Sequence, residues 1–328
     1  MQFSLVIKGR KGWLDAVRCL AIIFVVYGHC AWEILPQVFL FIGPVKIPLF
    51  LAISGYLINT SKRLGQFLKS LTLTTILPWL VLGWIRIPFL VPSRGWDYLL
   101  TGTIRLLTGE DLWFMPFFII AETLHFCLRK YVSRDWLVVL IAFALSAAGL
   151  TLGHFGLLDT AMVNRALTAQ PFFLTGYFFR KYEDRIIRVK WIYILLAAAA
   201  YFGLCLLGQR IFGSFVIDVH LNMYPDIPYT LILIFGGCLI LFTAARKANF
   251  QSWITSFIGQ NTLVIYLWSG ASIAILSALF SRLGWDIPLN GWTALFYTAW
   301  ACLLCGFCSV LINGLIRRGN SSQAIRRN

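Results

Sequence analysis

Charge is what this chain has least of. Only 12% of its 328 residues are Asp, Glu, Lys or Arg, against roughly 25% in an average soluble domain. Acidic residues are the scarcer sign, 13 against 28 Lys and Arg. Histidine occurs four times, scattered along the chain, so no metal site is expected. No long polar stretch is present that would make a water-soluble domain, which leaves a single polytopic body as the expected organisation. A disulfide framework is also excluded: all eight cysteines fall inside apolar runs, where thiols pack as small apolar groups. Cys302, Cys305 and Cys308 have cluster-like spacing, but a fourth ligand and a polar surround are missing, and helix packing is the expected role.

Apolar sequence is abundant. Hydrophobic residues make up 59% of the chain, and the mean hydropathy is +0.78. Runs near the ~20 residues that a bilayer requires recur from end to end. Ten are expected, at about 13–35, 40–59, 67–91, 112–128, 136–153, 167–179, 191–207, 228–245, 258–280 and 290–316. The sixth is the shortest. The fold class expected is therefore all-α, a polytopic membrane protein of about ten transmembrane helices. The first run is too long for a cleaved signal segment, carries Asp15 and Arg18, and lacks a small-x-small cleavage pattern.

A net charge of +15 is compatible in principle with a nucleic-acid partner, but its distribution argues for topology. With ten spans and a cytoplasmic N-terminus, clusters such as Lys8, Arg10 and Lys11, Lys62 and Arg63, Arg129, Lys130 and Arg134, Arg180 to Lys190, and Arg246 and Lys247 all fall inside. Only Lys46, Arg94, Arg105, Arg165, Arg210 and Arg282 fall outside. Such alternation follows the positive-inside rule and predicts both termini in the cytoplasm, with no nucleic-acid partner.

Ionisable residues inside spans are costly and mark candidate functional sites. Arg18 and His29 are eleven residues apart in the first span. On a helix they fall within about 20° of one another and roughly 16 Å apart along the axis. Asp15 lies within about 60° of Arg18. An ion pair of Asp15 with Arg18 that snorkels to the interface is the plain alternative, but His29 lies too deep to snorkel and suits general-base work. In the second span, Ser54, Gly55 and Tyr56 serve either helix packing or ligand contact. Arg86, near the far end of the third, either steadies an oxyanion or snorkels. Glu122, His125 and Arg129 share one stripe of the fourth, either an ion-pair ladder or a cavity wall. The long outer segments 92–111 and 208–227, the second with Asp218 and His220, are either acceptor contacts or ordinary solvated connections. No inverted repeat of the kind many transporters carry is visible.

These residues resemble the acyltransferase 3 membrane family. The resemblance rests on Leu14-Asp-x-x-Arg18 with His29 beyond it, and on Pro48-Leu-Phe-Leu-x-x-Ser54-Gly-Tyr-Leu-Ile58. Supporting blocks are Pro78-Trp79, Leu112-Trp113-Phe114-Met115-Pro116, Phe172-x-x-x-Gly176-Tyr177 and Gly259-Gln-Asn-Thr-Leu263-x-x-Tyr266-Leu267. Two departures stand out: Thr72, Thr74 and Thr75 occupy a stretch where the family often has a basic residue, and Ser269 stands where relatives often have a histidine.

The resemblance implies a bacterial inner-membrane enzyme that moves an acetyl group from cytoplasmic acetyl-CoA to a hydroxyl of an envelope polysaccharide or its lipid-linked precursor. It implies an acyltransferase domain over residues 1–316 and a short basic tail over 317–328. Acetyl-CoA is a co-substrate, and no further cofactor is expected. His29, Arg18 and Arg86 are the expected catalytic residues. Asp15, Ser54, Gly55, Tyr56, Trp113 and Glu122 are expected to contact donor or acceptor. Arg18 would pair with the donor phosphates, and the pantetheine arm would run along the helix to His29. The competing expectation is a secondary transporter or flippase for a glycan or lipid precursor, with the same intramembrane charges lining a pathway.

Overall fold

A computed structural model describes residues 11–31, 35–213, 216–285, 287–288 and 290–325, with side chains as far as residue 310 except at 31, 36, 93 and 160. Lys8, Arg10, Arg326 and Arg327 of the expected charge pattern lie outside the described residues. Among the described residues the chain is all-α, with no named strand.

In chain order the helices are α1 (Gly12–Ala31), α2 (Pro36–Lys46), α3 (Pro48–Leu57), α4 (Leu64–Leu71), α5 (Leu77–Arg94), α6 (Tyr98–Thr108), α7 (Phe114–Tyr131) and α8 (Asp135–His154). They continue as α9 (Val163–Thr168), α10 (Gln170–Ile186), α11 (Trp191–Phe212), α12 (Ile227–Lys247), α13 (Trp253–Gln260), α14 (Thr262–Arg282) and α15 (Gly291–Ile325). The α15 backbone carries the segment expected as a tail onward as helix to Ile325.

Eight segments are helical, long and apolar enough to cross a bilayer. They coincide with eight of the ten expected spans. The remaining two, α7 and α10, hold 18 and 17 residues. Charge sets them apart: α7 carries Glu122, Arg129 and Lys130, and α10 carries Arg180, Lys181, Glu183, Asp184 and Arg185. Two spans contain breaks. Pro48 starts a new helix between α2 and α3, because proline cannot donate the helical hydrogen bond. Between α4 and α5 the helix widens into a π turn at Thr72–Ile76, a feature common at functional sites. Large exposed aromatics, Trp136, Trp191 and Trp253 at one end and Trp96, Trp285 and Trp292 at the other, suit the two membrane interfaces.

The bundle is knitted by two close helix crossings that only glycine permits. A Cβ on Gly55 of α3 would overlap the carbonyl of Phe173 on α10, and a Cβ on Gly176 of α10 would overlap the carbonyl of Ala52 on α3. The two motif blocks at 48–58 and 172–177 are therefore one another's packing partners. Likewise, a Cβ on Gly259 of α13 would overlap the carbonyl of Asp15 on α1. Trp13 adds an aromatic clasp at the same end, its ring 5.3 Å from Tyr56 and 5.8 Å from both Phe179 and Phe242. α1 is thereby fixed against α3, α10, α12 and α13, and the position of its polar stripe is fixed with it.

Candidate active site

Two chambers lie along α1. The first, about 1110 Å³, is lined by Leu14, Arg18, Ile22 and Val25 of α1. The second, about 720 Å³, is lined by Val25, Gly28 and His29 of the same helix. Positions 14, 18, 22, 25 and 29 form a single stripe of a 3.6-residue helix. Val25, Ile47 and Tyr266 belong to the walls of both chambers. Arg18 and His29 thus share a face, as their spacing predicts, and look into adjoining spaces.

The first chamber is basic. Lys11, Arg18 and Arg180 line it, with no carboxylate among its lining residues. Arg180 donates to the carbonyls of Tyr56 at 3.2 Å and Ile58 at 3.4 Å, and so caps the end of α3. Arg18 is half-buried and donates through Nη1 to Oδ1 of Asp15 at 2.9 Å. Asp15 is 1% exposed and does not line the chamber. Its carboxylate holds the Arg18 guanidinium. Ser54 lines the chamber directly. So do Thr74 and Thr75, which the π turn presents: hydroxyls occupy the wall where a basic residue had been looked for. From the α13–α14 corner come Gly259, Gln260 and Thr262.

A side branch of about 280 Å³ opens past Ser54, Thr74 and Thr75 to Glu122 and Lys62. The expected stripe of Glu122, His125 and Arg129 does not act as a unit. Glu122 faces this branch, His125 is fully buried and stacked 4.6 Å from the Phe173 ring, and Arg129 pairs with Asp135 at 3.2 Å while its guanidinium sits 3.8 Å from the Tyr177 ring. At i and i+3 the first two are only about 60° apart on α7, and what separates them is their surroundings: Glu122 faces the branch, and His125 packs against Phe173 of α10.

The second chamber is of mixed character. His29 exposes its ring to it. Lys46 closes one side and forms an ion pair with Asp218 at 3.8 Å. His220, Trp113, Ser277 and Tyr297 complete the polar and aromatic wall.

The structure places four further expected site residues as follows. Gly55 is a packing residue, as its crossing with α10 requires. The Tyr56 ring borders the basic chamber, but its hydroxyl is held between Lys11, which donates to it, and Glu183, which accepts from it at 2.6 Å. Glu183 in turn pairs with Arg246, so Tyr56 is a strut of the chamber floor. Trp113 stands in the second chamber, away from the basic one, and stacks on His220 with ring centroids 4.5 Å apart. Arg86 lines neither chamber: it is 6% exposed, pairs with Asp111 and donates to the Leu267 carbonyl at 3.4 Å. Tyr98 donates to the same carboxylate at 3.0 Å. A buried guanidinium needs such partners, so Arg86 does not snorkel, and in this structure its guanidinium is engaged by Asp111 and the Leu267 carbonyl.

Lys11, Arg180, Thr74, Thr75 and Lys46 were not among the expected site residues, whereas Asp218 and His220 lie in the outer segment expected either to contact an acceptor or to be an ordinary connection. Arg180 was within reach, since it follows the motif glycine Gly176 by four residues and so shares its face. The other residues needed the fold.

A family model described as an acyltransferase domain matches residues 11–313. No match is found among curated proteins or among solved structures. The match covers both chambers and nearly all the described helices, and the chain therefore belongs to the acyltransferase 3 family of multi-pass membrane proteins.

Proposed function

We propose that this acyltransferase is an O-acetyltransferase that uses acetyl-CoA from the cytoplasmic side and modifies a hydroxyl of an envelope glycan or its lipid-linked precursor. The observation that carries the reading is the basic chamber adjoining, across the shared wall residues Val25, Ile47 and Tyr266, the space that holds His29. Three cations without a lining carboxylate suit the phosphates of a CoA donor, and arginine is the residue best shaped for them. The eleven residues from Arg18 to His29 set the two groups roughly 16 Å apart, a separation suited to an extended pantetheine arm.

In this reading Arg18, oriented by Asp15, binds donor phosphate together with Lys11 and Arg180. Ser54 and the two threonines offer hydroxyls to the polar arm. His29 takes the proton of the acceptor hydroxyl as its oxygen attacks the thioester carbonyl. The carbon–sulfur bond breaks, the proton passes to the departing thiolate, and acetylated acceptor and free CoA result. The charge pattern favours a cytoplasmic basic chamber and hence modification toward the opposite side of a bacterial inner membrane. Family membership disfavours a transporter or flippase, which has no need of a donor chamber beside a base.

The test is transfer of labelled acetyl from acetyl-CoA to a glycolipid extract by the purified protein and by His29→Ala. Label entering glycan with wild type but not with the variant supports the reading. Absence of both donor binding and transfer in the wild type refutes it.

A further inference from the structure

The second chamber is closed on one side by the segment 216–226, between α11 and α12, and that segment is built with unusual care. Asp218 and Met223 exchange both backbone hydrogen bonds, at 3.1 and 2.9 Å. Oδ1 of Asp218 accepts from the backbone N–H of His220 at 2.7 Å and of Leu221 at 3.1 Å. The carboxylate also pairs with Lys46 of α2, and Arg165 of α9 donates to the His220 carbonyl. The Trp113 ring stacks on the imidazole. His220 is thus held by its N–H, its carbonyl and its ring face. Among the described residues no protein group is hydrogen-bonded to the ring nitrogens of His220 or His29, and both rings line the same chamber. Burial, with help from Arg165 and Lys46 against the opposing pull of Asp218 and Asp159, pushes the His220 pKa down, so its ring is neutral at pH 7 and offers one donor and one acceptor.

The chemistry of the space differs from that of its neighbour. Lys46 and Asp218 offset one another, which leaves no cationic surplus for phosphates. Aromatic rings of Phe39, Trp113, Tyr266 and Tyr297 alternate with hydroxyl and imidazole groups. Apolar faces with a few fixed polar groups define a specific small-molecule site, and its volume is within the ~300–1,000 Å³ such sites span. A pyranose ring presents the complementary pattern: C–H faces for aromatic contact and hydroxyls for hydrogen bonds.

We infer that the second chamber is the acceptor site, that it takes a neutral, hydroxyl-rich sugar residue, and that His220, positioned by Asp218 and Arg165, is a binding residue for it opposite His29. This rests on the acetyltransfer reading above.

The experiment uses the full chain, labelled acetyl-CoA and a chloroform–methanol–water extract of the membranes of expressing cells as acceptor. His220→Phe keeps a flat ring against Trp113 but removes both polar atoms, and His220→Gln keeps a donor and an acceptor. The expected result for His220→Phe is a rise of about tenfold in the extract concentration giving half-maximal transfer, the loss of one or two hydrogen bonds, with acetyl-CoA affinity within twofold of wild type. His220→Gln should recover most of the loss. Half-maximal concentrations within twofold of wild type in both variants would overturn the inference, as would a parallel loss of acetyl-CoA binding, which would make the loop structural. Wild type that binds acetyl-CoA but labels no glycan in the extract would overturn the sugar site while leaving the donor reading intact. Wild type that does neither would remove the acetyltransfer reading and this inference with it.

Discussion

The two chambers meet at Val25, Ile47 and Tyr266, yet they are made differently. The basic chamber takes its polar groups from helices: Arg18 from α1, Ser54 from α3, Arg180 from α10, and two threonines from a π turn within one span. The second chamber takes Asp218 and His220 from the turn segment between α11 and α12, beside His29 and Lys46 from helix ends and Ser277 and Tyr297 from α14 and α15. Helix-borne groups are placed by packing that changes little, which suits a donor of fixed chemistry. Loop-borne groups are set by local turns and are free to vary without disturbing the bundle, which suits an acceptor that differs between enzymes. On the proposed reading, donor and acceptor contacts are thus anchored differently.

The largest expected effect separates the chambers outright. His29→Ala should lower turnover by about 10²–10⁴, the usual contribution of a positioned general base, while leaving acetyl-CoA affinity unchanged. Arg18→Ala should do the reverse, weakening donor binding by roughly 10- to 100-fold, as expected for one charge-assisted hydrogen-bonded contact of ~1.5–3 kcal/mol. Isothermal titration with acetyl-CoA beside single-turnover transfer measures both. If the two variants lose the same property, the chambers are not functionally distinct. The second effect concerns Arg86, which lines neither chamber and pairs with Asp111. Breaking a buried pair costs about 3–5 kcal/mol, so Arg86→Ala should lose thermal stability in detergent while each folded molecule keeps its acetyl-CoA affinity. A stable variant that binds donor and does not turn over would restore Arg86 to the chemistry.

How far these assignments were legible in the sequence depends on the length scale of the argument. Arg18 and His29 lie on one helix, and a 3.6-residue period suffices to align them. The polytopic all-α fold follows from apolar runs, each read by itself. The pairing of Arg86 was not legible because its partner, Asp111, stands 25 residues on, beyond α6, and no local rule joins them. Gly55 was read evenly between packing and ligand contact, and only the carbonyl of Phe173 against it decides for packing. His220 needed the most: its loop, the end of α1 and the start of α7 must converge before a histidine in a polar connection faces a second histidine in a span. Position along one element was readable, and convergence of several elements was not.

A third prediction tests the crossing that supports the basic chamber. Gly176→Ala places a methyl into the Ala52 carbonyl. Overpacking of this kind costs about 1–3 kcal/mol, and since α3 carries Ser54 and α10 carries Arg180, the strain falls on donor binding before anything else. Thermal unfolding should show the destabilisation, and titration with acetyl-CoA a weakened affinity, with the extract dependence of transfer moving less. Equal damage on both sides would mean that the bundle transmits strain evenly and that the chambers share one framework.

The smallest effect is expected at Asp159, which pairs with Arg165, the residue that holds the His220 carbonyl. The hydrogen bond from Arg165 holds the Asp159 carboxyl below its ordinary value. A carboxyl lowered in the folded state contributes its stability in full above the unfolded pKa of roughly 3.9 and loses it as pH falls through the lower folded value. Over the neutral range the pair is therefore intact, and the carboxylate is largely exposed, so it is worth under about 1 kcal/mol. Asp159→Asn should raise the half-maximal extract concentration by less than about fivefold at pH 7 and leave donor affinity alone, since Arg165 keeps its other partners, the carbonyls of His220 and the Asn164 amide. A shift confined to the acceptor side, however small, would connect the outermost polar contact of the loop to the second chamber alone. A shift in acetyl-CoA affinity would contradict that connection, because no residue of the 216–226 segment reaches the basic chamber.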